Sequence, residues 1–186
     1  MHAHPQAVPF SAAMLRGYRD AWTAITSPDP EILQSFAPTH PDASPWLRQA
    51  IQLLLHRFPD KQSGLPWWDL KLLAEAHAHG PRAARVIGYT ISHNWDQGDP
   101  VGDSFLFARL LRLGDKSLPS PLLEISGNHR NMRETDVVLT SFGLDVLEGR
   151  VSTYPRNPIE DWAAGVYLSS AAGSIWFSDD GKLVRP

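Results

Sequence analysis

The sequence predicts an α+β fold that is mainly helical, with N-terminal helices, a winged-helix-like module and a C-terminal β meander. Three observations support this prediction. Apolar residues recur at helical spacing through much of residues 11–113. Two short apolar runs flank a polar loop within residues 121–139. After residue 165, short β-prone runs alternate with turn residues, and Asp180-Gly181 favours a type I′ hairpin turn because both of its central positions need positive φ.

The N-terminal part predicts three helices. Ser11 can cap the first, whose apolar residues keep helical spacing through Ile25. Asp29-Pro30 suits the start of a short second helix, since Asp is a preferred N-cap and Pro is tolerated in the first turn. Ser44-Pro45 suits the start of the third helix in the same way, and the apolar pattern continues to Phe58.

The middle of the chain has the element order of a winged helix-turn-helix. Its predicted elements are helices over 67–79, 82–91 and 103–113, strands over 121–125 and 137–139, and a helix over 140–147. Thr140 can cap the last helix and Gly149 can end it. The helix over 103–113 has large apolar residues on most of its faces, so we expect it to pack inside the module.

Three parts are expected to form one compact unit. They are an N-terminal helical segment over 1–62 that packs on the next module, the winged-helix-like module over 63–150, and the β meander over 151–186. A chain of 186 residues is long enough to bury a sizeable core. The seven tryptophans are expected to be anchors of that core.

Composition excludes several classes of function. The chain has no cysteine, which excludes disulfides, thiol catalysis and cysteine-ligated metal. No apolar run approaches the ~20 residues of a membrane span, and no secretory signal pattern is visible. We therefore expect a cytoplasmic protein without a membrane partner. No cofactor motif is recognisable, so no cofactor is assigned.

The net charge of −3 argues against strong nonspecific nucleic-acid binding, because phosphate contacts supply most of that affinity. The charge is unevenly distributed. Residues 66–133 have eight basic and seven acidic side chains, whereas residues 134–186 have four basic and eight acidic ones. Only the middle part has any basic excess, and the excess is slight.

Short motifs spread over nearly the whole chain support a resemblance to a known family. They are Ala21-Trp22, Ser27-Pro28-Asp29-Pro30, Phe58-Pro59, Gly64-Leu65, Val101-Gly102-Asp103, Phe105, Leu110, Pro121-Leu122-Leu123, Leu139-Thr140, Gly143, Val146-Leu147, Gly149, Asn157, Ile159, Asp161-Trp162, Gly165-Val166, Leu168, Ile175-Trp176 and Leu183-Val184. The chain resembles the C-terminal helical and winged-helix-like module of a bacterial family of unknown function.

Two features of the chain depart from that family. Pro66 stands where the family has a serine cap before the fourth helix, and proline cannot accept the capping bond. The resemblance covers only the C-terminal part of longer members, and we expect no counterpart of their N-terminal α/β domain within these residues. The resemblance implies a fold and no activity.

The winged-helix-like order suggests DNA binding as one hypothesis. In it the helix over 103–113 enters the major groove and the wing tip contacts phosphate or the minor groove. The candidate contact residues are Arg109, Arg112, Lys116, His129, Arg130 and Arg133. The alternative is that the helix is internal, and the acids Asp103 and Asp115 would also repel phosphate.

Histidines suggest a metal site as a second hypothesis. His77 and His79 end the fourth helix, and His93, Asp96 and Asp99 follow. Residues two apart on a helix point in different directions, so His77 and His79 should not converge on one ion. Histidines at a helix C-terminus also interact favourably with its carbonyls. We therefore assign no metal ligand.

Acidic residues near the C-terminus suggest hydrolysis as a third hypothesis. Glu160, Asp161, Asp179 and Asp180 could supply a paired acid and base. However, Asp179 and Asp180 are explained by the hairpin turn, and Asp161 by a helix cap or by bonds to backbone amides. No nucleophile elbow or phosphate-binding loop occurs, so we assign no catalytic residue.

Asn157, Asp161, Trp162 and Gly165 form the densest group of family-like positions. They are either a contact surface for a partner or a structural cluster. We favour the structural interpretation, in which Trp162 seals the meander and Gly165 allows close backbone approach. Trp162→Ala should then cost about 3–5 kcal/mol.

The sequence thus favours a non-enzymatic interaction or regulatory module with a protein partner or an oligomeric state. The alternative is a DNA-binding winged-helix transcriptional regulator, and a more distant one is a metal-dependent enzyme. The two leading hypotheses differ in whether Arg109, Arg112, Arg130 and Arg133 share an exposed face with Lys116 or are paired with acids.

Overall fold

The computed structural model describes residues 10–98 and 100–186. Within these residues it has seven α-helices, one short 3-10 helix and three antiparallel strand pairs. The helices are α1 (Ala12–Thr26), α2 (Pro30–Thr39), α3 (Pro45–Leu54), α4 (Trp67–His79), α5 (Ala83–Asn94), α6 (Asp103–Leu113) and α7 (Ser141–Leu147), with the 3-10 turn at Leu55–Arg57. The strands are β1 (Leu123–Gly127), β2 (Thr135–Leu139), β3 (Glu160–Ala163), β4 (Val166–Ser169), β5 (Phe177–Asp179) and β6 (Lys182–Val184). The mainly helical α+β class is confirmed.

Several helices begin at the residues that the sequence indicates, and side-chain hydrogen bonds cap three of these starts. The side chains of Ser11, Asp29 and Thr140 accept bonds from the backbone N–H groups at the starts of α1, α2 and α7. Ser44 precedes α3 without a side-chain capping bond, and Pro66 precedes α4 in the same way. The predicted caps are therefore confirmed at three starts, where a side-chain oxygen satisfies a free N–H group.

Residues from the middle of the chain form the first hydrophobic core, here called the central core. It combines α4, α5, α6, α7 and the β1–β2 hairpin. Trp68 and Leu72 of α4 pack with Leu106 and Leu110 of α6 and with Val137 of β2. The expectation that the helix over 103–113 is internal is confirmed on the face that contains Leu106, Leu110 and Leu113.

Both ends of the chain build the second hydrophobic core, here called the terminal core. Phe36 and Phe58, from the N-terminal helical part, are almost fully buried in it. Val166, Leu168 and Leu183 reach the same core from the C-terminal hairpins. The N-terminal helices thus share a core with strands that follow them by more than a hundred residues.

The C-terminal β region consists of two hairpins, β3–β4 and β5–β6. The predicted turn at Asp180-Gly181 is confirmed, since both residues have positive φ. Strand β3 begins before the region where the sequence suggested strands. In the first hairpin Ala163 pairs with Val166 and faces the terminal core, whereas Trp162 pairs with Tyr167 on the opposite face.

The general expectation that the tryptophans are core anchors is wrong for more than half of them. Trp68 is buried, but Trp22, Trp46, Trp95 and Trp162 are exposed. Residue size indicates burial only on average, and the side chain's direction is set by the element's register in the fold.

Candidate functional site

Arg109 joins three elements that are far apart in sequence. From α6, its Nε atom donates to Oδ1 of Asp69 in α4 at 2.7 Å, and Nη2 donates to Oδ2 of the same carboxylate at 2.5 Å. Its Nη1 atom donates to Asp161 in β3. This bidentate pairing with Asp69 fixes the orientation of the planar guanidinium, and the bond to Asp161 connects the hairpin to the helices.

The Arg109 cluster lies away from bulk water. The side chain of Arg109 is 12% exposed and that of Asp69 is 4% exposed. Burial alone would lower the pKa of Arg109, but the charges of Asp69 and Asp161 and their hydrogen bonds outweigh it and raise this pKa. Burial likewise opposes ionisation of Asp161, but the neighbouring Arg109 and Arg112 hold its pKa below the ordinary value. Arg109 is therefore held protonated and Asp161 is held ionised.

Arg112 also binds strand β3. Its Nη1 atom lies 2.9 Å from Oδ1 of Asp161, and Nη2 donates to the backbone oxygen of Glu160. The two helix arginines that the DNA hypothesis placed against phosphate are thus both bonded to β3. For Arg109 this is a correction, because a buried, paired guanidinium cannot contact a duplex without breaking the pair.

The remaining candidate DNA contacts lie apart from Arg109 and Arg112. Lys116, His129, Arg130 and Arg133 are exposed, and the last three belong to the loop between β1 and β2. Arg130 and Arg133 line a shallow depression together with Asp103 at the start of α6. An acid in that depression weakens the attraction for phosphate.

The Asn157–Gly165 group separates into structural members and one exposed member. Asn157 is buried, and its side chain accepts from the Ser120 N–H at 2.9 Å and donates to the Ser120 oxygen at 2.7 Å. Gly165 lies against the end of α1, where an added Cβ would be 2.5 Å from the Thr26 carbonyl carbon. The structural interpretation thus holds for Asn157, Asp161 and Gly165.

Trp162 differs from its neighbours, and the expectation that it is an anchor is wrong. Its side chain is 64% exposed and forms an aromatic pair with Tyr167, with ring centroids 5.1 Å apart. The physical reason is strand alternation, since Ala163 next to it faces the terminal core. The Trp162 N–H does donate to Asp161 at 2.8 Å, as expected for an acid that bonds the local backbone.

A small cavity lies beside the Arg109 cluster. Asp69, Arg109, Asn157 and Asp161 are among its lining residues, and its volume is about 60 Å³. That volume accommodates a few water molecules, whereas small-molecule sites usually occupy several hundred Å³. The cavity therefore fits a hydrated junction between elements better than a substrate site.

The histidines of the metal hypothesis are only partly brought together. His79 and His93 meet around Glu75, which the sequence hypothesis did not include. His77 is exposed and lines a different depression with Val138, as expected for two histidines on different sides of a helix. Asp96 is exposed outside this group, and Asp99 lies outside the described residues. The signal for Glu75 was its spacing of four residues from His79 on α4.

The acidic residues of the hydrolysis hypothesis lie on two different hairpins, with Glu160 and Asp161 in β3 and with Asp179 and Asp180 at the end of β5 and in its turn. Asp179 forms an ion pair with Lys61 at 2.8 Å, and Asp180 occupies the hairpin turn. Glu160 accepts bonds from the Ser169 hydroxyl and the Ala171 N–H, which lower the pKa of this exposed carboxyl. Asp161 forms ion pairs with Arg109 and Arg112.

Comparison of the chain with protein-family models, curated proteins and solved structures gave no significant match. Among the described residues, none of the helices has the length and apolar character needed to cross a membrane.

Proposed function

We propose that this chain is a non-enzymatic interaction module that binds a partner protein through Trp162 and Tyr167. The observation that supports the proposal is the exposure of Trp162 and Tyr167 on the outer face of a hairpin whose inner face is buried. A tryptophan that contributes little to the core has a large apolar surface available to a partner. Tryptophan and tyrosine are also enriched among the residues that dominate binding energy at protein interfaces.

The hairpin presents this aromatic pair on a rigid support. Ala163, Val166 and Leu168 on its inner face are buried in the terminal core. Asp161 is held by two arginines of α6. Because the backbone below the pair is already ordered, binding loses little further conformational entropy.

Charge near the pair indicates the chemistry of the partner. The Tyr167 hydroxyl donates to Glu160 at 3.2 Å, so a carboxylate with a lowered pKa lies beside the aromatic rings. Residues 134–186 also have twice as many acidic as basic side chains. A partner segment with apolar and basic side chains would complement this surface.

DNA binding receives less support as an alternative. Its hypothesis needed Arg109, Arg112, Arg130 and Arg133 on one exposed face, and the first two are bonded to β3. Of the six candidate contacts, Lys116 and the three residues of the β1–β2 loop are exposed.

Site-specific photocrosslinking tests the interaction proposal. A photoreactive amino acid replaces Trp162 in the full chain, expressed in the cells that naturally produce it. We expect one discrete adduct, which mass spectrometry identifies as a different protein or a second copy. The Glu160→Lys and Tyr167→Ser variants should each reduce its yield.

Trp95 provides the matched control, because it is a tryptophan of similar exposure on another surface. The same photoreactive group at position 95 should give no discrete adduct. Equal adducts from both positions, or none from position 162, would contradict the proposal.

A further inference from the structure

Glu75, His79 and His93 form a compact group of metal-ligating side chains at the end of the α4–α5 pair. Glu75 and His79 are four residues apart on α4, so they lie on one face, one turn apart. His93 approaches from the C-terminal turn of α5. Nδ1 of His93 is 2.9 Å from Oε1 of Glu75, and Nε2 of His79 is 3.4 Å from Oε2.

We infer that these three side chains bind a divalent transition-metal ion of the zinc class. One potential ligand atom from each residue lies within 4.8 Å of the others. Ligand atoms around a tetrahedral zinc ion are roughly 3.3 Å apart, given bonds of about 2.0–2.1 Å. The two nitrogen–oxygen distances lie on either side of that value, and each goes to a different oxygen of Glu75. Binding of one ion therefore requires side-chain rotations that bring both imidazole nitrogens toward the same carboxylate.

The surroundings orient two of the three ligands before any ion arrives. The ring of Tyr89 stacks on His79 with centroids 3.8 Å apart, and it contacts His93 at 5.2 Å. The guanidinium of Arg85 lies near Tyr89, 5.7 Å from its ring centroid. Such support limits the rotation of the imidazoles and reduces the ordering that metal binding requires.

The donor set indicates the class of metal. Two imidazole nitrogens and one carboxylate oxygen suit Zn²⁺, Co²⁺ and Cu²⁺, whereas Mg²⁺ prefers an all-oxygen shell with retained water. The side chain of His93 is half exposed, so solvent can supply a fourth ligand. A bound ion would join the C-terminal part of α4 to the C-terminal turn of α5.

Calorimetric titration tests this site. The chain is prepared without a histidine tag, treated with a chelator, and given alanine at His2 and His4, which lie outside the described residues. Zinc chloride and magnesium chloride are then titrated into it. We expect one Zn²⁺ per chain, no comparable binding of Mg²⁺, and a higher midpoint of thermal unfolding with Zn²⁺.

Variants decide which residues bind the ion. Loss of groups that only support metal ligands costs about 10–100-fold in affinity, so His79→Ala and His93→Ala should each weaken Zn²⁺ binding by about 100-fold or more. Glu75→Gln keeps the shape of the side chain and should weaken binding by at least about 10-fold. Circular dichroism checks that each variant is folded, and the visible spectrum of bound Co²⁺ should change in His93→Ala.

His77→Ala is the matched control, because it removes a histidine two residues from His79 that points elsewhere. It should bind Zn²⁺ like the parent chain. The inference is overturned if the parent binds no zinc, if His79→Ala and His93→Ala bind it unchanged, or if His77→Ala loses it equally.

Discussion

The central core and the terminal core differ in the sequence separation of the residues that they bring together. Residues of the central core lie between positions 65 and 146, and most of its elements are neighbours in sequence. The terminal core joins helices before residue 59 to strands after residue 162. One core can therefore form from local contacts, while the other needs the two ends of the chain to meet, which costs more loop-closure entropy.

Arg109 connects the two cores. It extends from α6 in the central core to Asp161 in the hairpin that covers the terminal core, and Arg112 adds a second bond to the same carboxylate. We therefore expect the two cores to unfold together despite their different origins. Substitutions in each core, at Arg109 between them and at the exposed Trp162 test this comparison.

The largest effects should come from emptying either core. Trp68→Ala in the central core and Phe58→Ala in the terminal core each remove a buried aromatic ring and should each lower the free energy of unfolding by about 3–5 kcal/mol. Urea denaturation followed by circular dichroism and by tryptophan fluorescence measures the loss. Both probes should report a single transition in each variant, and separate transitions would show that the cores unfold independently.

Removing Arg109, which connects the two cores, should lower the free energy of unfolding by about 3 kcal/mol. Arg109→Ala leaves Asp69 buried without its partner, and breaking a buried pair costs about 3–5 kcal/mol; the 12% exposure of Arg109 places it at the lower end. Urea denaturation again gives the value. Arg150→Ala breaks exposed ion pairs with Asp145 and Glu148 and serves as the control, with an expected loss in the free energy of unfolding of at most about 1 kcal/mol. Equal losses in both variants would contradict the role of Arg109.

Gly165→Ala should cost about 1–3 kcal/mol, because the added methyl group would overlap the Thr26–Ser27 backbone. The change tests how closely the hairpin must approach α1. Gly88→Ala is the control, since its Cβ would meet open space within α5. There alanine should raise stability by about 0.5–1 kcal/mol. Thermal and urea unfolding compare the two, and a stabilising Gly165→Ala would contradict the close approach.

The ion pairs of Asp161 with Arg109 and Arg112 should also weaken in acid. The pKa of Asp161 in the folded chain is below its ordinary value, so its contribution is complete above about pH 5 and is lost as pH falls through the lowered pKa. Stability should therefore fall from about pH 5 downward, and Asp161→Asn should fall less steeply over the same interval. Urea midpoints measured across this range compare the two slopes, and parallel slopes would show that Asp161 does not contribute.

The smallest effect is expected at Trp162. Because the side chain is mostly exposed, Trp162→Ala should change the free energy of unfolding by no more than about 0.5 kcal/mol. The same substitution at Trp68 should cost several times more. Urea denaturation of both variants makes the comparison. A loss in the free energy of unfolding above about 2 kcal/mol for Trp162→Ala would show that Trp162 has a structural role.

The sequence by itself determined the features that depend on neighbours in the chain. Ser11, Asp29 and Thr140 cap helices because each capping bond reaches only two or three residues ahead. The Asp180-Gly181 turn follows from the φ angles that these two residues tolerate. The apolar pattern of the helix over 103–113 also showed that much of its surface is buried.

Only the tertiary structure decided the partners of the charged and aromatic side chains. Arg109 meets Asp69 and Asp161 across 40 and 52 residues, and Glu75 meets His93 across 18. Trp162 faces solvent because its neighbour Ala163 occupies the inner face of the strand, a choice of register that its residue type does not reveal. Local bonds are specified by spacing along the chain, whereas these contacts depend on how separate elements pack.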